Sequence, residues 1–292
     1  MKYFFVSGNC STGIISKALA ILLPNFKFEP LILPSIDDKV KSTSLLKKLQ
    51  QAGNKKELIW ISSGRFDLIN NLDIKTIKIP NIFFDAFHPD LTYVKNIKTN
   101  DFFYPHYNSQ IVIWCYNNEV NLANIEMLFN SKVFKELGYN DLWGQSLLNL
   151  KKIFMECEFS EDEFDNFFFK IKKLNNFMYS INHPRNEVLF EFAKLIALKI
   201  DKNFDIKKNF TFFEYPSLEN KSWAFYPDLA YEYGLQGNYF WRFDDIVIND
   251  LKSYIIFACN SFKKNKIYPG ELKPIKFIDK LDFILSNELK ML

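Results

Sequence analysis

The stretch YFFVSGNCSTGIISKAL, residues 3–19, decides how this chain begins to fold. Residues 3–7 are a short run of aromatic and β-branched side chains, the pattern of a buried strand. Ser11 and Thr12 suit a helix N-cap, and Ile14, Ile15, Leu19, Leu22 and Leu23 then recur at helical spacing. The chain therefore turns from strand to helix at Gly8-Asn9-Cys10-Ser11. Packing alone accounts for such a corner, because a free cysteine is often a small core residue. The corner also has a chemical reading. Unpaired N–H groups and the positive end of the helix dipole converge there, which favours a thiolate at Cys10 and an anionic ligand on the backbone. Gly8 permits close approach of a ligand, and Asn9 can hold the loop or donate to an oxyanion.

Working outward, EPLILPS (29–35), KELIWISSG (56–64) and IKIPNIFFDAF (77–87) read as further strands, with the polar, helix-compatible segment 38–56 between the first two. Strands alternating with helices predict an α/β fold with a parallel, doubly wound sheet in the N-terminal half. Ligands of such sheets bind beyond the C-terminal ends of the strands. After residue 117 the periodicity becomes helical: residues 121–138, stopping at Gly138; residues 141–157; residues 160–174, with Ser160 and Glu163 in capping-box register; residues 186–200; and closing helices over 245–262 and 274–290. The expected organisation is a sheet region over 1–117 and a mainly helical region over 118–292, with a cleft between them.

Composition excludes several classes. The charge is +3, with 37 basic and 34 acidic residues interspersed, so no basic footprint for nucleic acid stands out. The four cysteines, Cys10, Cys115, Cys157 and Cys259, lack metal-ligand spacing, so no metal is expected, and a disulfide framework is not expected in a chain of this size. The N-terminal apolar run is too short for a signal peptide, and no stretch approaches the ~18 consecutive apolar residues of a membrane span. The expectation is a soluble, cytoplasmic protein. Walker A, GxGxxG, HExxH and GxSxG patterns are all absent from the sequence.

The rare residues concentrate the remaining signal. Of three histidines, His88 and His183 precede proline, which holds them extended at a fixed exit from a loop or strand; His106 lies in FYPHYNSQ. Asp85 or Asp90 can orient His88, which would give a Cys–His–Asp set if the fold brings Cys10 near. His-Pro is equally ordinary turn chemistry. Only three of the 37 basic residues are arginine: Arg65, Arg185 and Arg242. Arg65 and Arg185 suit a bidentate grip on phosphate as well as they suit a structural ion pair, and Arg242 fits a structural pair with Asp244. The aromatic, polar segment 224–245 reads as an ordered loop that would suit a sugar or adenine ring, or the core.

Taken in order, SGNCS, FHPDLTYV, LFNSKVFKELGY, FMYSINHPRNEVL and YGLQGNYFWRF resemble the WcbI family of capsular-polysaccharide biosynthesis proteins, over residues 3 to about 260. The resemblance implies a cytoplasmic protein that binds coenzyme A and acetylates a sugar of a surface polysaccharide. It points to Cys10, His88, His183 and Asp90 as catalytic candidates. Gly8, Asn9, Ser11, Arg65, His106, Asn182 and Arg185 are the candidates for holding the cofactor. Ser11 stands where the family pattern carries glutamine. The corner is also similar in placement to the Gly-Asp-Ser corner of SGNH-type hydrolases and acetyltransferases, although a C-terminal Asp-x-x-His is missing. The expected partners are an acyl-CoA, with acetyl-CoA as cosubstrate, and a sugar acceptor. Two rival readings are a glycosyltransferase using a nucleotide sugar and a non-catalytic CoA- or glycan-binding assembly protein.

Overall fold

A computed structural model describes residues 3–32, 47, 58–62, 75–207, 218–275 and 280–291. The chain forms two compact units. The first comprises Met1–Phe83, Leu148–Phe177 and Asn182–Leu218; the second comprises Phe84–Leu147, Met178–Ile181 and Glu219–Leu292. The expected helix over 38–56 lies outside the described residues except for Lys47, which is helical.

The first unit is built on β1 (Tyr3–Gly8), β2 (Lys27–Ile32), β3 (Leu58–Ser62) and β4 (Lys75–Lys78), all parallel, in the order β2-β1-β3-β4. β1 has neighbours on both sides and Phe4 and Val6 fully buried, which explains why its sequence is a continuous apolar run rather than an alternating one. The ring of Phe4 stacks on Phe28 of β2 at 5.0 Å. The fourth strand is shorter and earlier than expected. It ends at Lys78, the Ile79 N–H closes onto Ser62 O at 2.8 Å, and Pro80 has no N–H to continue a ladder. Helix α1 (Thr12–Leu22) returns the chain from β1 to β2.

In the second unit, β5 (Leu91–Asn96) and β6 (Phe102–Ser109) form an antiparallel pair extended by β12 (Leu272–Pro274). β9 (Lys221–Ser222), β10 (Trp241–Phe243) and β11 (Ile246–Ile248) form a second antiparallel sheet. Helices α2 (Gln110–Asn117), α3 (Leu122–Met127), α4 (Ser131–Glu136), α8 (Pro227–Glu232), α9 (Leu251–Lys264) and α10 (Leu281–Met291) complete it. The single helix expected over 121–138 is two, because Asn130 is extended and its side chain caps α4 by accepting from Val133 N at 3.0 Å. The helix expected from 245 starts at Leu251, after β11, and the one expected from 274 starts at Leu281, after β12. Segment 224–245 contains α8 and β10 as well as loop.

The remaining elements are α5 (Leu142–Glu156), α6 (Glu161–Ile171), β7 (Met178–Ser180), β8 (His183–Pro184) and α7 (Asn186–Ile200). Within the first unit α1 packs on α7, and α6 packs on the same helix. Phe154, Phe159, Phe167 and Phe192 interlock there with ring centroids 5.2–6.1 Å apart. The α6 capping box is complete: Glu163 N donates to Ser160 Oγ at 3.2 Å, and Ser160 N to Glu163 Oε2 at 2.7 Å. No helix among the described residues is long and apolar enough to cross a membrane.

Candidate functional site

In the order β2-β1-β3-β4, the chain leaves β1 toward β2 on one side and places β3 on the other. The carboxyl ends of β1 and β3 therefore mark the point where connections diverge, the place where open parallel sheets bind ligands. Ser7 of β1 donates from Oγ to Ser62 Oγ of β3 at 3.0 Å, tying the two strand ends together. Gly8–Ser11 follow directly.

Asn9 builds the corner. Its Oδ1 accepts from Ser11 N at 3.0 Å, its carbonyl accepts from Thr12 N at 3.1 Å and from Thr12 Oγ1 at 2.7 Å, and its Nδ2 donates to Asn81 Oδ1 at 3.2 Å. Capping thus comes from Asn9, and Ser11 occupies the N-cap position without a side-chain capping bond. The helical ladder starts with Ile15 N donating to Ser11 O at 3.0 Å, so the first-turn N–H groups of Gly13 and Ile14 form the positive end of α1. Cys10 is exposed at that end and in no disulfide, whereas Cys115, Cys157 and Cys259 are buried; burial pushes each of those three thiols above the ordinary value.

A pocket opens at this corner, about 310 Å³ counting its open mouth. Asn9, Ser11 and Thr12 form one side, Asn81 and Ile82 another, and Pro184 with α7 a third. Two motifs far apart in sequence, GNCS and HPRN, therefore meet at one pocket within the first unit. His183 is buried beside Pro184, Asn182 and Arg185 are half-buried, and Arg185 occupies the N-cap position of α7. Sequence reasoning missed Asn81 and the apolar wall from α7. The signal for the wall was present, since HPRN leads straight into an amphipathic helix. Asn81 sat inside a segment read as strand. Arg65 lies outside the described residues.

His88 and Asp90 belong to the second unit and are buried there. His88 Nδ1 lies 3.2 Å from Ala224 O; a carbonyl only accepts, so Nδ1 carries the proton and Nε2 is the basic nitrogen of the neutral ring. Asp85 accepts from Ser146 Oγ at 2.6 Å. Asp90 accepts from Tyr139 OH at 3.0 Å, Tyr226 OH at 2.8 Å and Ile111 N at 3.1 Å. Burial raises its carboxyl above the usual aspartate value, with the hydrogen bonds from Ser109, Tyr226, Ile111 and Tyr139 opposing it. His106 is exposed on β6 next to Tyr104. Arg242 faces Glu219 at 3.5 Å and donates from Nε to the Asp244 carbonyl at 3.3 Å, a structural arrangement whose carboxylate is Glu219. No cluster of three His, Cys, Asp or Glu side chains suited to a metal occurs among the described residues.

The family model for the polysaccharide biosynthesis enzyme WcbI matches residues 59–204, half of the chain. The chain belongs to the WcbI family. A solved WcbI structure shares the fold at a TM-score of 0.62 and 12% identity, with 98% of this chain and 94% of that one covered. That structure is of a novel polysaccharide biosynthesis enzyme, in the native form without a disulfide bond between coenzyme A and a cysteine. Comparison with curated proteins gives no match. This WcbI-family chain is thus related to enzymes of polysaccharide biosynthesis through half of its sequence and nearly all of its fold.

Proposed function

We propose that the protein is an acyl-CoA-dependent O-acyltransferase that moves an acetyl group onto a sugar hydroxyl of a capsular or other surface polysaccharide. The observation that carries this reading is the exposed Cys10, in no disulfide, at the strand divergence point and at the positive end of α1. The coenzyme A named for the related WcbI structure, alongside a cysteine, supports the choice of thioester. The residues present fit such a cosubstrate: an exposed thiol at the corner, amide side chains at Asn9 and Asn81, and a positive helix end suited to phosphate or an oxyanion.

In the reaction, the Cys10 thiolate attacks the acyl carbonyl, the bond from that carbonyl to the CoA sulfur breaks, and CoA leaves as a thiolate that takes up a proton. A sugar hydroxyl then attacks the Cys10 thioester and gives its proton to a histidine, and the Cys10 thiolate is restored. His183 is the base we assign, because it belongs to the same unit as Cys10 and precedes Pro184 of the pocket wall. Coenzyme A supplies the activated acyl group; Cys10, Asn9 and His183 accept it, hold the corner and move the proton.

Thermal unfolding with acetyl-CoA, CoA, UDP, CMP and their sugar conjugates tests the reading. At 100 times its dissociation constant a ligand of the native state adds about 2.7 kcal/mol. CoA compounds alone should raise the midpoint, and Cys10→Ala should keep that rise while losing turnover. Turnover retained by Cys10→Ala would mean direct transfer with a histidine as base, and His183→Ala beside His88→Ala would then name it. A response to a nucleotide sugar and none to CoA would replace acyl transfer with glycosyl transfer.

A further inference from the structure

Resting on the acyl-transfer reading above, we infer that Asn81 is a positioning residue for Cys10: its side-chain carbonyl holds the Asn9 amide, and the held amide fixes the turn that carries the thiol. Asn9 Oδ1 accepts from Ser11 N at 3.0 Å, two residues on, so the hydrogen-bonded ring closes around the Cys10 backbone. Cys10 is the central residue of that turn, and the turn's geometry sets the direction in which its side chain leaves the backbone. A backbone N–H only donates, so the amide atom facing Ser11 is the oxygen, and Nδ2 is left to face elsewhere. Nδ2 donates to Asn81 Oδ1 at 3.2 Å. Bonds at both ends fix the rotamer and the flip of the Asn9 amide together. Without Asn81, only the Ser11 bond opposes its rotation.

Asn81 itself stands on a stiff perch. It is exposed between the buried pair Ile79-Pro80 and the buried Ile82. Ile79 N donates to Ser62 O at 2.8 Å, anchoring the segment to the end of β3, and the Pro80 ring fixes φ. Asn9 follows the end of β1, where Ser7 Oγ donates to Ser62 Oγ at 3.0 Å. Both amides are thus carried from strand ends joined at Ser62, although 72 positions separate them in sequence. A thiolate must meet the acyl carbonyl in a narrow near-attack geometry, so loosening this turn costs rate. The net worth of an ordinary hydrogen bond corresponds to roughly 2- to 10-fold.

The test compares the full-length wild type with Asn81→Ala and Asn81→Asp. For each, the rate at which saturating acetyl-CoA adds an acetyl group to Cys10 is divided by the rate of its alkylation by iodoacetamide at the same pH, both followed by mass. The ratio cancels the ionised fraction, because the thiolate is the nucleophile in both reactions. Asn81→Ala should lower the ratio about 2- to 10-fold while its thermal midpoint stays near that of the wild type, and hydrogen exchange of the Ser11 N–H should quicken. Asn81→Asp keeps an acceptor oxygen at the same reach and should bring the ratio back to near the wild-type value. An unchanged ratio or unchanged Ser11 exchange in Asn81→Ala, or a ratio as low in Asn81→Asp, would overturn the role of Asn81 while leaving acyl transfer standing. If iodoacetamide adds mass to the wild type and acetyl-CoA adds none, acylation of Cys10 falls, and this inference with it.

Discussion

Asp90 shows how one side chain can organise a region without facing solvent. Its carboxylate is fully buried and receives two tyrosine hydroxyls and the Ile111 N–H at the start of α2, while Gln110 N donates to its carbonyl at 2.9 Å. The same loop carries His88, and Gln110 Nε2 holds the intervening Pro89 carbonyl at 3.1 Å. Desolvation lifts the carboxyl above its ordinary 3.8 despite those donors. A folded pKa above the unfolded one means that the native state holds the proton more tightly. The stabilisation is therefore complete below the unfolded value and is lost as pH rises through the raised one. The stability of the wild type minus that of Asp90→Asn should fall as pH increases from about 4, by up to about 1.4 kcal/mol per pH unit inside the window. Urea unfolding at pH 4.5 to 8 reads this directly, and a difference that grows with pH would contradict it. At this scale the sequence was legible by residue type and not by role. Cys10 was visible as a thiol at a corner, but that Asn9 caps it depends on a backbone turn. Gly237 lies in a segment that reads as an ordered loop, yet a Cβ there would lie 2.5 Å from Phe225 O, a proximity only tertiary packing creates.

Helix α7 is the element that links the first unit's corner to its core. One end begins beside the pocket at Pro184, one face covers α1, and Glu191 joins it to α6 by accepting from Lys170 at 2.9 Å while also accepting from the buried Lys194 of its own helix at 2.6 Å. Glu191 is half-buried, and although burial pushes its carboxyl up, the two lysines hold it below the ordinary glutamate value. The sign is opposite to that of Asp90: the stabilisation is present above the unfolded value and lost as pH falls through the lowered one. Glu191→Gln should therefore cost most near pH 7, and the cost should shrink toward pH 3 to 4, as read by urea midpoints across that range. An equal cost at both ends would show that the pairs with Lys170 and Lys194 add nothing. Elements of this kind were legible because each states itself locally. The apolar spacing of 186–200 and the Ser160–Glu163 box need no distant partner. The short antiparallel strands β9 to β12 of the second unit were not, because strands of two or three residues carry too few side chains to establish a period.

At the scale of the whole chain, sequence order and spatial order diverge. The parallel sheet was readable from its first strands and the helices over 160–200 from their own spacing, but that these helices support the first unit was not. α6 and α7 come from residues 161–200, after the chain has already entered the second unit over 84–147. Ile14, Ile15, Ala18 and Leu19 of α1 are buried, and the helix packed over α1 is α7. An N-terminal piece ending at residue 117 would carry β1 to β4 and α1 while lacking that cover. Exposing several large apolar side chains at about 1.5–3 kcal/mol each removes a sum comparable to a whole domain's stability of about 5–15 kcal/mol. Residues 1–117 expressed alone should therefore show no cooperative thermal transition, whereas the full chain should. Adding residues 148–218 to the fragment through a flexible linker should restore one, because it returns the segments that build the first unit. A cooperative transition in 1–117 by itself would mean that the sheet and α1 find sufficient cover without α7, and that the pocket wall from Pro184 to Phe192 is an addition to an already stable core.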